Sequence, residues 1–390
     1  MGKLSFLHGE LDALKRMGRL RSLRWLESPV GGRVKIGGRE VVLLCSNDYL
    51  GLAQAPSLKE AAIRALERWG AGAPASRSIA GSLLIHRELE AELAELKATE
   101  AALLFSTGYM ANMGLLTTLV GEGDLILSDQ YNHASIVDGC RLSRAEVWVY
   151  RHCDPNHLED LLRRARHRRR LVVTDGVFSM EGDIAPLPHL RELCDRYGAI
   201  LMVDDAHATG VLGPQGRGTA EHFGMLGQVE VQMGTLGKAL GLVGAFVAGE
   251  QVLMDFLINR ARTFMYTTAP PPPLVGMALE ALRLMKAEAW RRERLWENTR
   301  RLRKGLQEMG FDTSNSSTPI IPVLVGDDRL VMEFSRRLLE RGIYVQGIRP
   351  PTVPEGSARL RLSVSAAHTP EDIDLALEAM GEVGRDLGLI

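Results

Sequence analysis

Residues 200–207 read Ile-Leu-Met-Val-Asp-Asp-Ala-His, an apolar run that ends directly on two carboxylates and an imidazole. Four consecutive apolar residues, Ile200 to Val203, are typical of a short buried β-strand. In open α/β sheets, ligands bind at the carboxyl ends of the strands. The sequence therefore predicts that Asp204, Asp205 and His207 lie at the ligand-binding edge of a sheet.

Five further short runs of the same character surround this stretch and are separated by segments with helical patterns. These runs are 102–105, 124–128, 171–174, 229–233 and 245–248. Alternation of strands and helices favours a mostly parallel sheet covered by helices. We therefore predict a large α/β domain over residues 56–285.

The segments on either side have a different character. Residues 1–55 predict an arm, with a basic amphipathic helix and a short strand at 41–44. The proline run at 270–273 breaks the chain, and we expect one long charged helix from 274 to 309 after it. Residues 286–390 predict a small α+β domain. Its expected elements are strands at 320–325, 343–345 and 359–364 and a helix at 370–387.

The composition excludes several classes of function. The chain has 47 Lys and Arg against 48 Asp and Glu, so no net charge attracts nucleic acid or an anionic membrane. Its four cysteines lie far apart, which fits neither a metal site nor a disulfide framework. No stretch approaches the roughly 20 apolar residues that cross a bilayer. We predict a cytoplasmic protein.

A lysine stands among glycines in the stretch Gly-Thr-Leu-Gly-Lys-Ala-Leu-Gly, residues 234–241. A phosphate-binding loop of the Walker type would need Gly at position 232 and Ser or Thr at 239, where this chain has Gln232 and Ala239. Lys238 instead follows a predicted strand, where desolvation can free its amine as a nucleophile. A lone lysine in a loop is usually a surface residue, so this interpretation depends on its neighbours.

The predicted sheet edge supplies those neighbours. A buried carboxylate at Asp204 needs a cationic partner, and the protonated ring nitrogen of pyridoxal 5′-phosphate (PLP) is one. A metal site is the alternative interpretation of Asp-Asp-x-His, but no further ligand cluster completes one at a recognisable spacing. We predict no metal.

Two other strand ends complete the predicted cofactor site. Residues 106–109, Ser-Thr-Gly-Tyr, open a helix after a strand and so offer free backbone N–H groups to a phosphate. His133 follows the next strand and could lie against an aromatic ring. Each signal is weak alone, and their positions on successive strand ends strengthen them.

Four segments together resemble the signature motifs of the α-oxoamine synthases. They are 46–52 (SNDYLGL), 175–183 (DGVFSMEGD), 203–207 (VDDAH) and 235–238 (TLGK). The resemblance implies PLP-dependent fold type I, similar to aspartate aminotransferase, with a mostly parallel sheet in the large domain and a smaller α+β domain. It also implies a homodimer that joins a small amino acid to an acyl thioester with loss of carbon dioxide.

Within this family, residues 348–354 (IRPPTVP) followed by 359–362 (RLRL) resemble the biotin-pathway branch. That branch condenses L-alanine with a pimeloyl group carried on coenzyme A or on acyl carrier protein. The alternatives are the branch that uses glycine and acetyl-CoA, an enzyme that accepts both pairs, and a catalytically silent partner subunit.

The resemblance also implies residue roles. Lys238 would carry PLP as a Schiff base, His133 would stack on the ring and Asp204 would pair with its nitrogen, while His207 completes the expected catalytic set. The remaining expected cofactor contacts are Gly108, Tyr109, Ser179 and Thr235. The expected substrate contacts are Asn47 and Arg361 for the amino acid and Arg21 and Thr352 for the acyl chain. Thr267 and Thr268 match a phosphate contact that comes from the neighbouring subunit, and Asp175 stands where some members have Glu.

Overall fold

The computed structural model describes residues 2–390. The helices, in chain order, are α1 Phe6–Arg16, α2 Pro56–Trp69, α3 Leu84–Lys97, α4 Gly108–Leu119, α5 Ala134–Leu142, α6 Pro155–Arg164, α7 Leu187–Tyr197, α8 Thr219–His222, α9 Gln251–Arg260, α10 Arg262–Met265, α11 Pro272–Ala287, α12 Trp290–Glu308, α13 Asp328–Glu340 and α14 Pro370–Asp386.

The strands are β1 Arg33–Ile36, β2 Arg39–Leu43, β3 Ala101–Phe105, β4 Leu125–Asp129, β5 Glu146–Tyr150, β6 Arg170–Asp175, β7 Ile200–Asp204, β8 Val231–Thr235, β9 Ala245–Gly249, β10 Ile320–Gly326, β11 Ile343–Tyr344, β12 Gln346–Ile348 and β13 Ala358–Ser363.

The chain forms two compact units. The larger unit consists of residues 47–179 and 183–293. Its seven strands form one sheet in the order β3-β9-β8-β7-β6-β4-β5. Strand β9 is antiparallel to both of its neighbours, and the other four pairings are parallel. The predicted mostly parallel sheet is therefore confirmed.

The register of the parallel strands aligns their carboxyl ends. Asp175, the last residue of β6, pairs with Asp204, the last residue of β7. Asp204 in turn pairs with Met233 near the end of β8. Residues that are far apart in the sequence thus reach the same edge of the sheet.

Both faces of this sheet are buried, as is usual for parallel sheets. Side chains alternate along a strand, so neighbouring residues enter different cores. On β4, Ile126 joins the core that α4 and α9 cover, whereas Leu125 and Leu127 join the core beneath α6 and α7. The apolar runs that predicted the strands are the result of burial on both faces.

The smaller unit consists of residues 2–46, 180–182 and 294–390. It holds two three-stranded sheets, β1-β2-β11 and β10-β13-β12. Helix α14 begins with a capping box, in which the Thr369 side chain accepts from the N–H of Asp372 and the Asp372 side chain accepts from the N–H of Thr369. Asp372 also accepts a 2.6 Å hydrogen bond from Arg33 Nε, which ties the beginning of α14 to β1.

Three sequence expectations were wrong or incomplete. The single helix expected over 274–309 is two helices, and Arg292 Nη1 near the beginning of α12 donates to Met285 O (2.8 Å), a carbonyl at the end of α11. The expected strand 343–345 is present as β11, which ends at Tyr344, and a further strand that was not expected, β12, begins at Gln346 and pairs in a different sheet. Strand β5 was missed although Val147 to Tyr150 form an apolar run; it is an edge strand whose residues other than Tyr150 are exposed or half-buried.

The basic amphipathic helix expected in the N-terminal arm is present as α1, which ends at Arg16. Among residues 2–390, no helix combines the length and the apolar character that crossing a membrane would require.

We expect Leu127→Ala to lower the free energy of unfolding by about 2–5 kcal/mol, because it leaves a cavity between β4 and the helices that cover it. Thermal unfolding of the purified protein measures the loss. Val149→Ala on the exposed edge strand β5 is the control, and its effect should stay within about 0.5 kcal/mol. Equal losses in the two variants would contradict the placement of Leu127 in the core.

Candidate active site

A cavity of about 200 Å³ lies in the larger unit at the carboxyl ends of its strands. Its wall includes all eight residues that the sequence suggested for a cofactor, which are Gly108, Tyr109, His133, Ser179, Asp204, His207, Thr235 and Lys238. Asn112, Ser135, Asp175, Ala206 and Met233 complete it. Side chains and backbone groups from five strand ends therefore meet in one place.

Asp204 is a buried carboxylate held in a fixed orientation. Its side chain is only 3% exposed. Oδ2 accepts a hydrogen bond from Asn112 Nδ2 (2.8 Å), and Oδ1 accepts one from the N–H of Ala206 (2.8 Å). Both donors are neutral, so neither of them offsets the negative charge of Asp204. That charge can therefore pair with a cationic ligand group in the cavity.

His133 is the N-cap residue of α5. The N–H of Ser135 donates to His133 Nδ1 (3.2 Å), so in the neutral ring the proton is on Nε2. Burial lowers the pKa of His133, the charge of Asp204 opposes this, and the charge of Lys238 adds to the lowering. An uncharged imidazole at neutral pH is suited to lie flat against an aromatic ring.

Asp175 lies directly beside His133. Its Oδ2 accepts a hydrogen bond from the backbone N–H of His133 (2.8 Å), which fixes the position of that residue. Burial raises the pKa of Asp175 well above its usual value, and the nearby charge of Asp204 raises it further. Asp175 thus anchors the histidine backbone from the neighbouring strand.

Lys238 lies in the loop that follows β8. Thr235, the last residue of β8, shapes this loop, because its hydroxyl donates to Gly244 O (2.8 Å) and accepts from the N–H of Gly237 (3.0 Å). Gly241 has a φ of +70°, and a Cβ there would lie 2.5 Å from the N atom of Ala53. The glycine permits the close turn that brings Lys238 to the cavity.

The beginning of α4 is a possible phosphate-binding element. Thr107 caps the helix, and its hydroxyl accepts from the N–H of Met110 (3.2 Å). Gly108 and Tyr109 are the first two helical residues and lie in the cavity wall. Backbone N–H groups and the positive end of a helix dipole favour an anion at such a position.

Two residues that contact the site were not singled out from the sequence. Asn112 lies one turn into α4 and bridges Asp204 and Ser135 Oγ (2.9 Å). Tyr49 belongs to the SNDYLGL motif, and its hydroxyl lies 2.7 Å from His207 Nδ1. The helical spacing of Asn112 from Gly108 could have pointed to the first contact, but no local signal pairs Tyr49 with His207.

Two side chains of the Asp-Asp-x-His sequence, Asp205 and His207, are hydrogen-bonded to other protein side chains. Asp205 Oδ2 accepts from Lys97 Nζ, and His207 Nδ1 is paired with Tyr49. A different group of possible ligands, Asp129, His152 and Cys153, lies nearby. Burial acts to lower the pKa of His152, but hydrogen bonds to Asp129 and Asp183 outweigh it and raise the pKa to about 12.

The residues expected on the substrate side lie in both units. In the smaller unit, Arg21 Nη2 donates to Thr352 Oγ1 (3.0 Å), and both residues line a cavity of about 480 Å³. Arg361 on β13 donates to Ser363 Oγ (2.7 Å). Asn47 belongs to the larger unit, where the hydroxyl of Tyr49 lies 3.4 Å from its Oδ1. Thr267 and Thr268 follow α10 at the protein surface.

Comparison with known proteins identifies the class. The family model for aminotransferase class I and II matches residues 39–380. The chain belongs to this family, and the resemblance to α-oxoamine synthases in its motifs is confirmed. It is 51% identical to an 8-amino-7-oxononanoate synthase of Symbiobacterium thermophilum over 100% of both chains. It is 54% identical to the protein of the same name from Geobacter sulfurreducens over 98% of both.

Solved structures show the same architecture. A serine palmitoyltransferase from S. paucimobilis with a bound PLP–myriocin aldimine is 35% identical, with a TM-score of 0.94 over 100% of this chain and 99% of that one. An 8-amino-7-oxononanoate synthase from Francisella tularensis is 30% identical, with a TM-score of 0.78 over 90% and 99%. The predicted PLP fold type I is thereby confirmed.

We expect Tyr49→Phe to lower the free energy of unfolding by about 1–3 kcal/mol, because the buried His207 Nδ1 loses its hydroxyl partner. Urea unfolding followed by fluorescence measures this change. Tyr197→Phe removes a hydroxyl that donates to Glu159 (3.0 Å) at a more exposed position and should cost at most about 1 kcal/mol. A smaller loss for Tyr49→Phe than for Tyr197→Phe would contradict the contact.

Proposed function

We propose that this protein condenses L-alanine with a pimeloyl thioester and releases carbon dioxide, the free thiol and 8-amino-7-oxononanoate, with PLP as its cofactor. This is the activity named for the full-length relatives at about 50% identity. The observation that carries the proposal is the placement of Lys238, Asp204 and His133 in the wall of one cavity.

The chemistry of the cavity fits PLP. Asp204 is a buried anion that suits the protonated ring nitrogen, and His133 is an uncharged ring beside it. The beginning of α4 at Gly108 and Tyr109 suits the phosphate. Ser179 and His207 would lie near the ring substituents, and Thr235 beside the amine of Lys238. When bound, PLP supplies an electron sink for the carbon that loses its proton or its carboxylate.

The chain's own groups then have distinct tasks. Lys238 would hold the cofactor between turnovers, and its released amine would be placed to remove the Cα proton of alanine and later to return one. Asp204 would keep the ring nitrogen protonated, so that the bound cofactor could stabilise negative charge at Cα. The overall condensation joins Cα to the acyl carbon and releases the thiol and carbon dioxide.

The acyl side of the proposal depends on Arg21 and Thr352. A guanidinium that projects from the cavity wall of the smaller unit could bind the terminal carboxylate of a pimeloyl chain with paired hydrogen bonds. Asn47 and Arg361 are proposed to bind the carboxylate of alanine. The acyl group would arrive on coenzyme A or on acyl carrier protein.

The proposal includes a cytoplasmic homodimer. In that dimer Thr267 and Thr268 of one protomer would contact the phosphate of the cofactor bound by its partner. The three domains proposed from the sequence are an arm (1–55), a cofactor domain (56–285) and a C-terminal domain (286–390).

We expect Asp204→Asn to keep PLP bound but to lose most of its activity, on the order of 100-fold or more, because a neutral amide no longer keeps the ring nitrogen protonated. Lys238→Ala should lose the visible absorbance that PLP gains when it is joined to a lysine. Absorbance spectra and turnover of both variants test these roles. Turnover of Asp204→Asn near the wild-type rate would contradict the role of Asp204 as the partner of the ring.

Thiol release by the PLP-loaded protein tests the substrate pair. We expect a higher kcat/KM with L-alanine and pimeloyl-CoA than with glycine and acetyl-CoA. The reverse order would favour the glycine acetyltransferase branch, and equal values an enzyme that accepts both pairs. No release with either pair would overturn the proposed reaction class.

Arg21→Met should raise the KM for pimeloyl-CoA about 10- to 100-fold, the equivalent of losing one charge-assisted hydrogen-bond pair. Heptanoyl-CoA has the same chain length without the terminal carboxylate, and its KM should not change. Arg16→Met, in α1, is the matched control. A parallel rise for both thioesters would show that Arg21 does not recognise the carboxylate.

A further inference from the structure

A buried ion pair lies directly behind Asp204. Lys97 is the last residue of α3, and its side chain is 0% exposed. Its Nζ donates to Asp205 Oδ2 (2.7 Å) and to Arg217 O (2.6 Å). The Asp205 side chain is 1% exposed. A lysine is rarely buried to this extent unless it is paired, so the site is built around this contact.

The other groups around Asp205 close the site. The Thr219 hydroxyl donates to Oδ1 (2.6 Å), and the N–H of Thr219 also points at the carboxylate (3.2 Å). Glycines occupy the two remaining sides, because a Cβ at Gly176 would lie 2.5 Å from Oδ1 and one at Gly218 would lie 2.0 Å from Oδ2. The surroundings admit the carboxylate and its ammonium partner and leave no room for a larger group.

Asp205 is also fixed through its backbone. Its N–H donates to Met233 O (2.7 Å) on β8, and its carbonyl accepts from the N–H groups of Ala208 (3.0 Å) and Thr209 (2.9 Å). These bonds define the turn that carries His207. Neighbouring residues at a strand end point to opposite faces, so Asp204 faces the cavity while Asp205 faces α3.

The charges explain why the pair is needed. Asp175, Asp204 and Asp205 are three buried carboxylates at one sheet edge, and the positive charge in the cavity is that of Lys238. Without Lys97, the negative charge of Asp205 would repel the negative charge of Asp204. Asp204 needs that charge in order to bind a cationic ring. Lys97 neutralises Asp205 from the face opposite to the cavity.

We propose that Lys97 is a positioning residue for the cofactor: through Asp205 it fixes the turn that carries Asp204 and His207 and balances the charge behind Asp204. This inference rests on the proposed function only in that PLP occupies the cavity. Thiol release tests the substrates, whereas the experiment below measures cofactor binding and absorbance, so the two can fail independently.

The test compares Lys97→Met, Asp205→Asn and the double variant as PLP-loaded proteins. The pH midpoint of the absorbance of PLP joined to Lys238 reports the local charge, and dialysis reports the dissociation constant of PLP. Lys97→Met removes a positive charge, so the midpoint should rise by about half a unit or more, and PLP should bind about 10-fold more weakly. Asp205→Asn removes a negative charge, so the midpoint should fall.

The double variant should return the midpoint to near the wild-type value, because the two lost charges cancel. Arg191→Met is the matched control, since it breaks the 2.6 Å pair with Glu230 that precedes β8 at the opposite end of the sheet. It should lower thermal stability and leave the midpoint and PLP affinity unchanged. If Lys97→Met does not fold, the direction of the shift in Asp205→Asn decides alone.

Shifts of the same sign in Lys97→Met and Asp205→Asn would overturn the proposal. Midpoints that stay within about 0.1 unit of wild type in the folded variants would overturn it as well. Opposite shifts that cancel in the double variant would support it, because a purely structural role has no reason to change sign with the charge that is removed.

Discussion

The parallel pairing of β4, β6, β7 and β8 is the constraint on which the site depends. Parallel strands end at the same edge, so the residue that follows each strand reaches one place although the residues lie up to about a hundred positions apart in the chain. His133, Asp175, Asp204 and Lys238 follow or end these strands. A one-residue slip of β7 would turn Asp204 away from the cavity and Asp205 towards it.

This arrangement concentrates carboxylates in a buried region, and the chain compensates each of them differently. Asp205 is paired with Lys97, and Asp175 accepts the N–H of His133 while its raised pKa favours the protonated form. Asp204 accepts hydrogen bonds from the neutral donors Asn112 and Ala206. Asp175 and Asp204 both lie in the cavity wall, and because Asp175 favours its protonated form, Asp204 is the carboxylate that suits a cationic ring.

Much of the larger unit was predictable because a strand that is buried on both faces of the sheet consists of consecutive apolar residues. All six strands predicted for the sheet are present, whereas the edge strand β5 was missed although its last four residues, Val147 to Tyr150, are apolar. The break between α11 and α12 was not predictable, because residues 288 and 289 are neither glycine nor proline. Strands β11 and β12 are separate strands because they pair with different partners. The hydrophobic pattern of the sequence does not indicate which partner a strand pairs with.

The sequence by itself determined the fold class, the family and eight residues that line one cavity, because apolar runs, polar residues at strand ends and family motifs are local signals. Only the tertiary structure decided how those residues are supported. Tyr49 meets His207, Asn112 meets Asp204 and Lys97 meets Asp205 across separations of about 90 to 160 residues. Such contacts arise from the packing of helices and loops against the sheet, and the identity of a buried partner leaves no pattern in the residues around it.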